Sequence, residues 1–205
     1  MFSLVRTLAA LLPVASLMAA PVQAKALFDA VEVDQTKFVI VAAPIGTGER
    51  AQLNIYEQRK DTRPCFALVE EGPVKVDPLL SSFDFTGICS RYIDGNGYSL
   101  RVGEDDLAST YRISVVREKG DNVLMAFPSK PSAGPEMVIA RTGGHSQNTD
   151  YLLLQPEPGW KLMRRQFGGR NLGHVYIYRD SWPVAEQPAA TGDQPATEPA
   201  VPGLR

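Results

Sequence analysis

The 205-residue chain has only 2 cysteines, 2 histidines and 2 tryptophans, and 21 basic residues nearly balance 23 acidic ones. Each scarcity excludes something. Two cysteines without C-x-x-C spacing make a poor zinc site or thioredoxin-like redox centre. There is no Gly-x-Ser-x-Gly elbow, and His145 and His174 sit in a Gly/Ser/Asn loop and a strand-like stretch, so a serine-hydrolase triad has no sequence support. The Gly46-Thr47-Gly48 turn is followed by no Lys-Ser/Thr pair and opens no helix, which excludes a phosphate loop. No stretch beyond the N-terminus approaches the roughly 18 apolar residues of a membrane helix, and no amphipathic helix of about ten residues is legible.

The ends are legible by composition. Arg6 precedes an apolar run from Thr7 to Ala20, and Val22-Gln23-Ala24 is a small-x-small cleavage pattern, so residues 1–24 read as a signal peptide and the mature chain as starting at Lys25. No cysteine stands directly after the cleavage site, so no lipid anchor is expected there. Without Arg6 the basic count falls from 21 to 20 against 23 acids, a balance near −3 that argues against a nucleic-acid partner. Residues 183–205, rich in Pro, Ala, Thr, Gln and Glu, cannot bury enough apolar surface to offset their ordering entropy and read as a disordered tail. Residues 25–182 then form one domain.

In an exported chain, Cys65 and Cys89 read as a disulfide. Its loop length corresponds to about 3–4 kcal/mol of stabilisation. Between turn signals the chain repeats short β-branched or alternating runs: Lys37–Ile45, Arg50–Gln58, Pro64–Val69, Tyr111–Val115, Val123–Phe127, Glu136–Arg141, Tyr151–Gln155, Trp160–Phe167 and Leu172–Tyr178. The strongest turn signal, Asp94-Gly95-Asn96-Gly97, predicts a central hairpin, and Gly120-Asp121 and Gly168-Gly169 predict two more. Asp77 and Pro78 predict the start of a helical turn over Val76–Ser82. The fold expected is all-β: a single antiparallel β-sandwich or barrel-like domain of about ten short strands, with little or no helix.

Several separate motifs carry a resemblance: Leu27-Phe-Asp-Ala-Val-Glu-Val-Asp, Ala43-Pro-Ile-Gly, Leu53-Asn-Ile-Tyr-Glu-Gln, Arg63-Pro-Cys-Phe-Ala and Phe83-Asp-Phe-Thr-Gly-Ile-Cys. Asn96-Gly-Tyr-Ser, Pro158-Gly-Trp and Gly173-His-Val-Tyr follow in order. Over about Leu27 to Asp180 the chain resembles a family of exported cyanobacterial proteins defined only as a domain of unknown function. The resemblance implies a secreted origin and one β-rich domain; it implies no reaction and no site residue.

Chemistry is sparse. Asp94, Asn96 and Asp105 fit EF-hand positions 1, 3 and 12, but Ser99 stands where glycine is needed, so Glu104-Asp105-Asp106 reads as a solvated acidic turn. Glu70-Glu71 and Asp105-Asp106 read as loop charges; convergence of Asp94 with Asp105 in a cleft would instead favour glycoside cleavage. The stretch Trp160–Arg179 holds Lys161, Arg164, Arg165, Arg170 and Arg179 with no acidic residue, interleaved with Trp160, Phe167, Tyr176 and Tyr178. Arginine forks grip carboxylates and aromatic faces stack on sugars. The binding residues expected are Trp160, Arg164, Arg165, Arg170 and Tyr178, with no catalytic set, metal or cofactor. The function expected is a non-catalytic component of the cell envelope or extracellular matrix that binds an anionic glycan; its partner would be an envelope polysaccharide or another envelope protein. The alternatives are an exported hydrolase of envelope polymers and a protein-interaction module that pairs through a sheet edge.

Overall fold

In the computed structural model, residues 27–69, 72–146 and 149–183 are described. They form β1 (Asp29–Glu32), β2 (Phe38–Ile45), β3 (Arg50–Gln58), β4 (Ala67–Val69), β5 (Lys75–Asp77), β6 (Cys89–Tyr92), β7 (Tyr98–Val102) and β8 (Asp105–Asp106). The second half supplies β9 (Tyr111–Glu118), β10 (Asp121–Pro128), β11 (Met137–Arg141), β12 (Leu152–Leu153), β13 (Gln155–Pro156), β14 (Trp160–Phe167) and β15 (Arg170–Arg179). Among the described residues, helix is limited to short 3-10 turns such as Leu79–Ser82. The expected all-β, barrel-like domain is therefore what forms, with more and shorter strands than the sequence pattern suggested.

Three sheets curl into a half-barrel: β4-β5-β12-β2-β3-β6, β13-β11-β10-β9, and β1-β14-β15-β7-β8. Their concave faces share one core, including Ile55, Leu100, Leu124, Ile139, Leu162 and Ile177. Alternation explains the sorting: Leu100 and Val102 of β7 face this core while Ser99 and Arg101 face away. A second, smaller core lies on the other side of the first sheet. There Val39, Val41 and Tyr56 pack against the Cys65–Cys89 disulfide, whose Cα atoms are 5.8 Å apart.

The hairpins β2/β3 and β9/β10 form with continuous antiparallel register, and β14/β15 forms antiparallel with a bulge between Arg164 and Gln166. The β9/β10 turn is Lys119-Gly120, both at positive φ, one position ahead of the expected Gly-Asp pair. The helical turn begins after β5, with Asp77 in that strand rather than capping.

The central hairpin does not form. Asp94 does nucleate a turn, its carboxylate accepting from Asn96 N–H at 2.9 Å and its carbonyl from Gly97 N–H at 2.9 Å. The strands on either side then diverge: β6 pairs with β3 in the first sheet, whereas β7 runs parallel to β15 in the third. A turn signal specifies a reversal of the chain, not which neighbour the outgoing strand joins. Here Val175 N–H captures the Gly97 carbonyl at 2.9 Å and leads β7 into the third sheet. The stretch from Phe83 to Arg101 is thus the seam between two sheets.

Candidate functional site

An open cleft of about 670 Å³ lies on that seam. Its floor is the concave face of the β3 and β6 ends, contributing Glu57, Arg59, Ser90 and Tyr92. The far wall is the Asp94–Gly97 turn together with Asn171, Leu172 and Gly173. Those last residues belong to a bulge: Gln166 faces Asn171 and Arg164 faces Val175, so β15 carries two more residues than β14 between the same rungs. A bulge bends its strand and re-aims side chains, and this one tips the start of β15 over the cleft.

Three residues from three strands meet at its centre. Arg164 donates through Nη2 to Glu57 Oε1 at 2.7 Å and through Nη1 to the Tyr92 hydroxyl at 2.7 Å; that hydroxyl donates to Glu57 Oε2 at 2.5 Å. The pair is secluded, the Arg164 and Glu57 side chains being 11% and 13% exposed. Burial pushes the Tyr92 phenol above its ordinary value, with Arg164 acting against that and Glu57 adding to it. Burial also acts to lower the Arg164 pKa, but Tyr92 and Glu57 outweigh it and the guanidinium stays charged.

Arg59 and Arg91 differ from Arg164. Both are exposed, and among the described residues neither has a carboxylate partner. Arg59 lies beside Glu57, whereas Arg91, between Ser90 and Tyr92 and opposite Tyr56 in the register, leaves the other face of edge strand β6 and borders the cleft only at its rim. Past Arg164 the cleft continues into a second groove of about 380 Å³ that shares Glu57, Arg59, Arg164 and Asn171 and extends to Asp34 and Lys37.

Of the residues expected to bind, only Arg164 lines the cleft. Arg165 points to the opposite face of its sheet, donating to Asp106 at 2.8 Å and to the Tyr176 hydroxyl at 2.7 Å. Adjacent strand residues must face opposite ways. Trp160 is 6% exposed and belongs to the core, with the Arg179 guanidinium 5.8 Å above its ring. Tyr178 is half-buried and holds Lys161 Nζ 5.4 Å from its ring centre, on the same face as Arg165. Arg170 is exposed at the tip of the last hairpin. Asp105 accepts from the Trp182 indole at 3.1 Å, so the Asp94 carboxylate shares its cleft with Glu57 instead. Glu104 pairs with Arg101, and Asp106 with Arg165, so the acidic run is divided among separate partners.

Behind the bulge, His174 is buried and shapes the cleft from outside it. A carbonyl only accepts, so the 2.8 Å contact with Asn96 O places a proton on Nδ1; Nε2 then accepts from the Ser99 hydroxyl at 2.9 Å. Burial pushes the His174 pKa down, and the nearby Arg165 and Arg164 add to this against the pull of Asn96 and Asp106. The imidazole fixes the Asn96 carbonyl and with it the turn forming the far wall. Its pairing with Ser99 has the connectivity of a nucleophile and base, but Ser99 is only 5% exposed and the pair stands outside the cleft.

Sequence reasoning did not reach Glu57, Arg59, Arg91 or Tyr92. Arg91 and Tyr92 lie directly before the strongest turn signal, and Glu57 and Arg59 close an alternating strand, yet nothing local ties the two stretches together. No curated protein and no solved structure matches the chain. The sequence model described as "Protein of unknown function (DUF3747)" matches residues 5–182, and the chain belongs to that family.

Proposed function

We propose that this protein is an exported, non-catalytic component of the cell envelope or extracellular matrix that binds an anionic glycan in the seam cleft. The observation that carries the reading is the placement of Arg59, an exposed guanidinium without a carboxylate partner among the described residues, on an open cleft beside Arg164, with Arg91 at the rim. Guanidinium forks match carboxylate and sulfate oxygens. The continuation of the cleft into a second groove suits a chain longer than one sugar. Export rests on the N-terminal charge, apolar run and cleavage pattern and is consistent with the Cys65–Cys89 bridge. The signal segment and the tail from 184 onward lie outside the described residues.

The test is co-sedimentation of the disulfide-intact protein with isolated cell-wall and exopolysaccharide fractions at low and high salt, beside an Arg59→Ala/Arg91→Ala variant. Salt-sensitive binding lost in the variant is expected. Binding that survives both changes would move the site elsewhere, and absence of binding to either fraction would refute the reading.

Hydrolysis is the second reading, because the cleft holds two carboxylates, Glu57 and Asp94. Glu57 is committed to Arg164 and Tyr92, so no new reducing ends are expected in the same incubations. Their release, lost in Glu57→Gln, would establish the hydrolase.

A further inference from the structure

The cleft is not a uniformly cationic trough. Arg59, Arg91 and Arg164 share it with Glu57 and Asp94, and Arg164 is already neutralised by Glu57 at 2.7 Å. What remains facing an incoming molecule is the Arg59 guanidinium, without a carboxylate partner among the described residues, and the Asp94 carboxylate, with Arg91 at the rim where edge strand β6 ends the sheet. The same lining adds neutral hydrogen-bonding side chains from Ser90, Asn96 and Asn171. A ligand bearing an anion on every available oxygen would bring like charges against Asp94, which is costly where solvent is partly excluded. A ligand bearing no anion would leave the arginines without partners. The lining matches a unit carrying one anionic group for the guanidiniums and several neutral hydroxyls. Those hydroxyls can donate to carboxylate oxygens and to the amides of Asn96 and Asn171.

We infer that the cleft selects a sugar acid, a uronate bearing one carboxylate per ring with its hydroxyls free, and discriminates against densely sulfated or phosphorylated chains. Arg59 takes the carboxylate, with Arg91 adding positive charge at the rim, and Asp94 accepts ring hydroxyls from the opposite wall. Asp94 is the specificity residue: its Oδ1 is held by Asn96 N–H, which leaves Oδ2 for the ligand. The mixed lining is also what separates this cleft from a nucleic-acid groove, where phosphates demand cations throughout. Selection at one ring does not depend on chain length, but the shared residues of the second groove let a polyuronate run onward past Arg164.

This inference rests on the anionic-glycan reading, and affinity electrophoresis distinguishes its failure from the failure of that reading. The disulfide-intact protein is run through gels containing alginate (a polyuronate), dextran sulfate or neutral dextran, at matched charge for the two polyanions. Retardation by alginate about tenfold stronger than by dextran sulfate is expected, with none by neutral dextran. Arg59→Ala/Arg91→Ala should abolish it. Asp94→Asn keeps an oxygen for the Asn96 N–H and so preserves the turn; it should weaken alginate binding by about threefold to tenfold and strengthen dextran sulfate binding. Equal retardation by both polyanions, lost in the arginine variant and unchanged in Asp94→Asn, would overturn the selectivity and leave anion binding standing. Retardation by neither polyanion, or by both regardless of Arg59 and Arg91, would overturn the anionic-glycan site itself.

Discussion

Arg164 of β14 and Glu57 of β3 belong to different sheets, and their 2.7 Å contact is a side-chain bridge across the seam of the half-barrel. Tyr92 completes it by bonding to both partners. Because the pair is nearly excluded from water, removing one member strands the other charge, a different situation from a surface ion pair. Arg164→Ala is expected to destabilise the fold by about 2–4 kcal/mol. In a double-mutant cycle with Glu57→Ala, the second substitution should add little once the first is made. Urea denaturation monitored by tryptophan fluorescence measures both. Additive losses would mean that the two side chains act independently.

The disulfide closes the loop that covers the smaller core. Cys65 N–H donates to the Gln58 side-chain oxygen at 2.8 Å, and Arg59 N–H to Ile88 O at 2.8 Å, so the bridge sits in a hydrogen-bonded frame beside the base of the cleft. Cys65→Ala/Cys89→Ala should lower stability by about 3–4 kcal/mol on the chain-entropy account. A variant within about 0.5 kcal/mol of the parent would show that the unfolded loop is already constrained.

Element existence was legible where local chemistry decides it. Gly168-Gly169 took positive φ and made the last hairpin, and the alternation of Arg50–Gln58 produced β3. Partnership was legible only where a short loop enforces it. Asp94–Gly97 carries the richest turn chemistry in the chain, yet β7 finds its neighbour about 75 residues away in β15. The same limit hid the site. Arg164 was visible as part of a basic stretch, but its neutralising partner Glu57 lies 107 positions earlier. Trp160 looked like a stacking platform because its burial depends on the opposite sheet. Arg101 offered no signal at all: it is 2% exposed, donating to Phe28 O at 2.6 Å and Gly103 O at 2.9 Å while its guanidinium lies 5.2 Å from the Tyr176 ring centre.

His174 gives the fold a pH dependence with a defined sign. The groups around it are Asn96 O, the Ser99 hydroxyl, Arg164 and Arg165 of β14, Asp106 of β8 and the Tyr176 ring at 5.6 Å. Burial holds its folded pKa below the ordinary value of about 6.5. The unfolded chain therefore binds the proton first, so stability is full above that ordinary value and is lost as the pH falls through the folded one. Stability curves should decline as acidity increases below about pH 6.5, and the decline should flatten in His174→Gln. An unchanged slope in that variant would assign the acid sensitivity to other groups.

Gly97 tests the close approach between the turn and the cleft floor. Its φ is not positive, so backbone conformation does not demand glycine; space does. A Cβ there would stand 3.0 Å from Tyr92 Cβ and 3.1 Å from Tyr92 Cα, and a backbone atom cannot swing aside as a flexible side-chain tip can. Gly97→Ala must lift the turn from β6. That strains the Val175 N–H to Gly97 O bond leading β7 into its sheet and shifts the Tyr92 hydroxyl away from Glu57 and Arg164. Gly95, two residues earlier, has open space at the same test and no positive φ. Gly97→Ala is expected to cost about 1–3 kcal/mol and to weaken polyanion binding, whereas Gly95→Ala should stay within about 0.5 kcal/mol of the parent. Urea midpoints and affinity gels on the two variants, run side by side, decide it. If the two alanines behave alike, the contact between Gly97 and Tyr92 is not what holds the wall of the cleft in place.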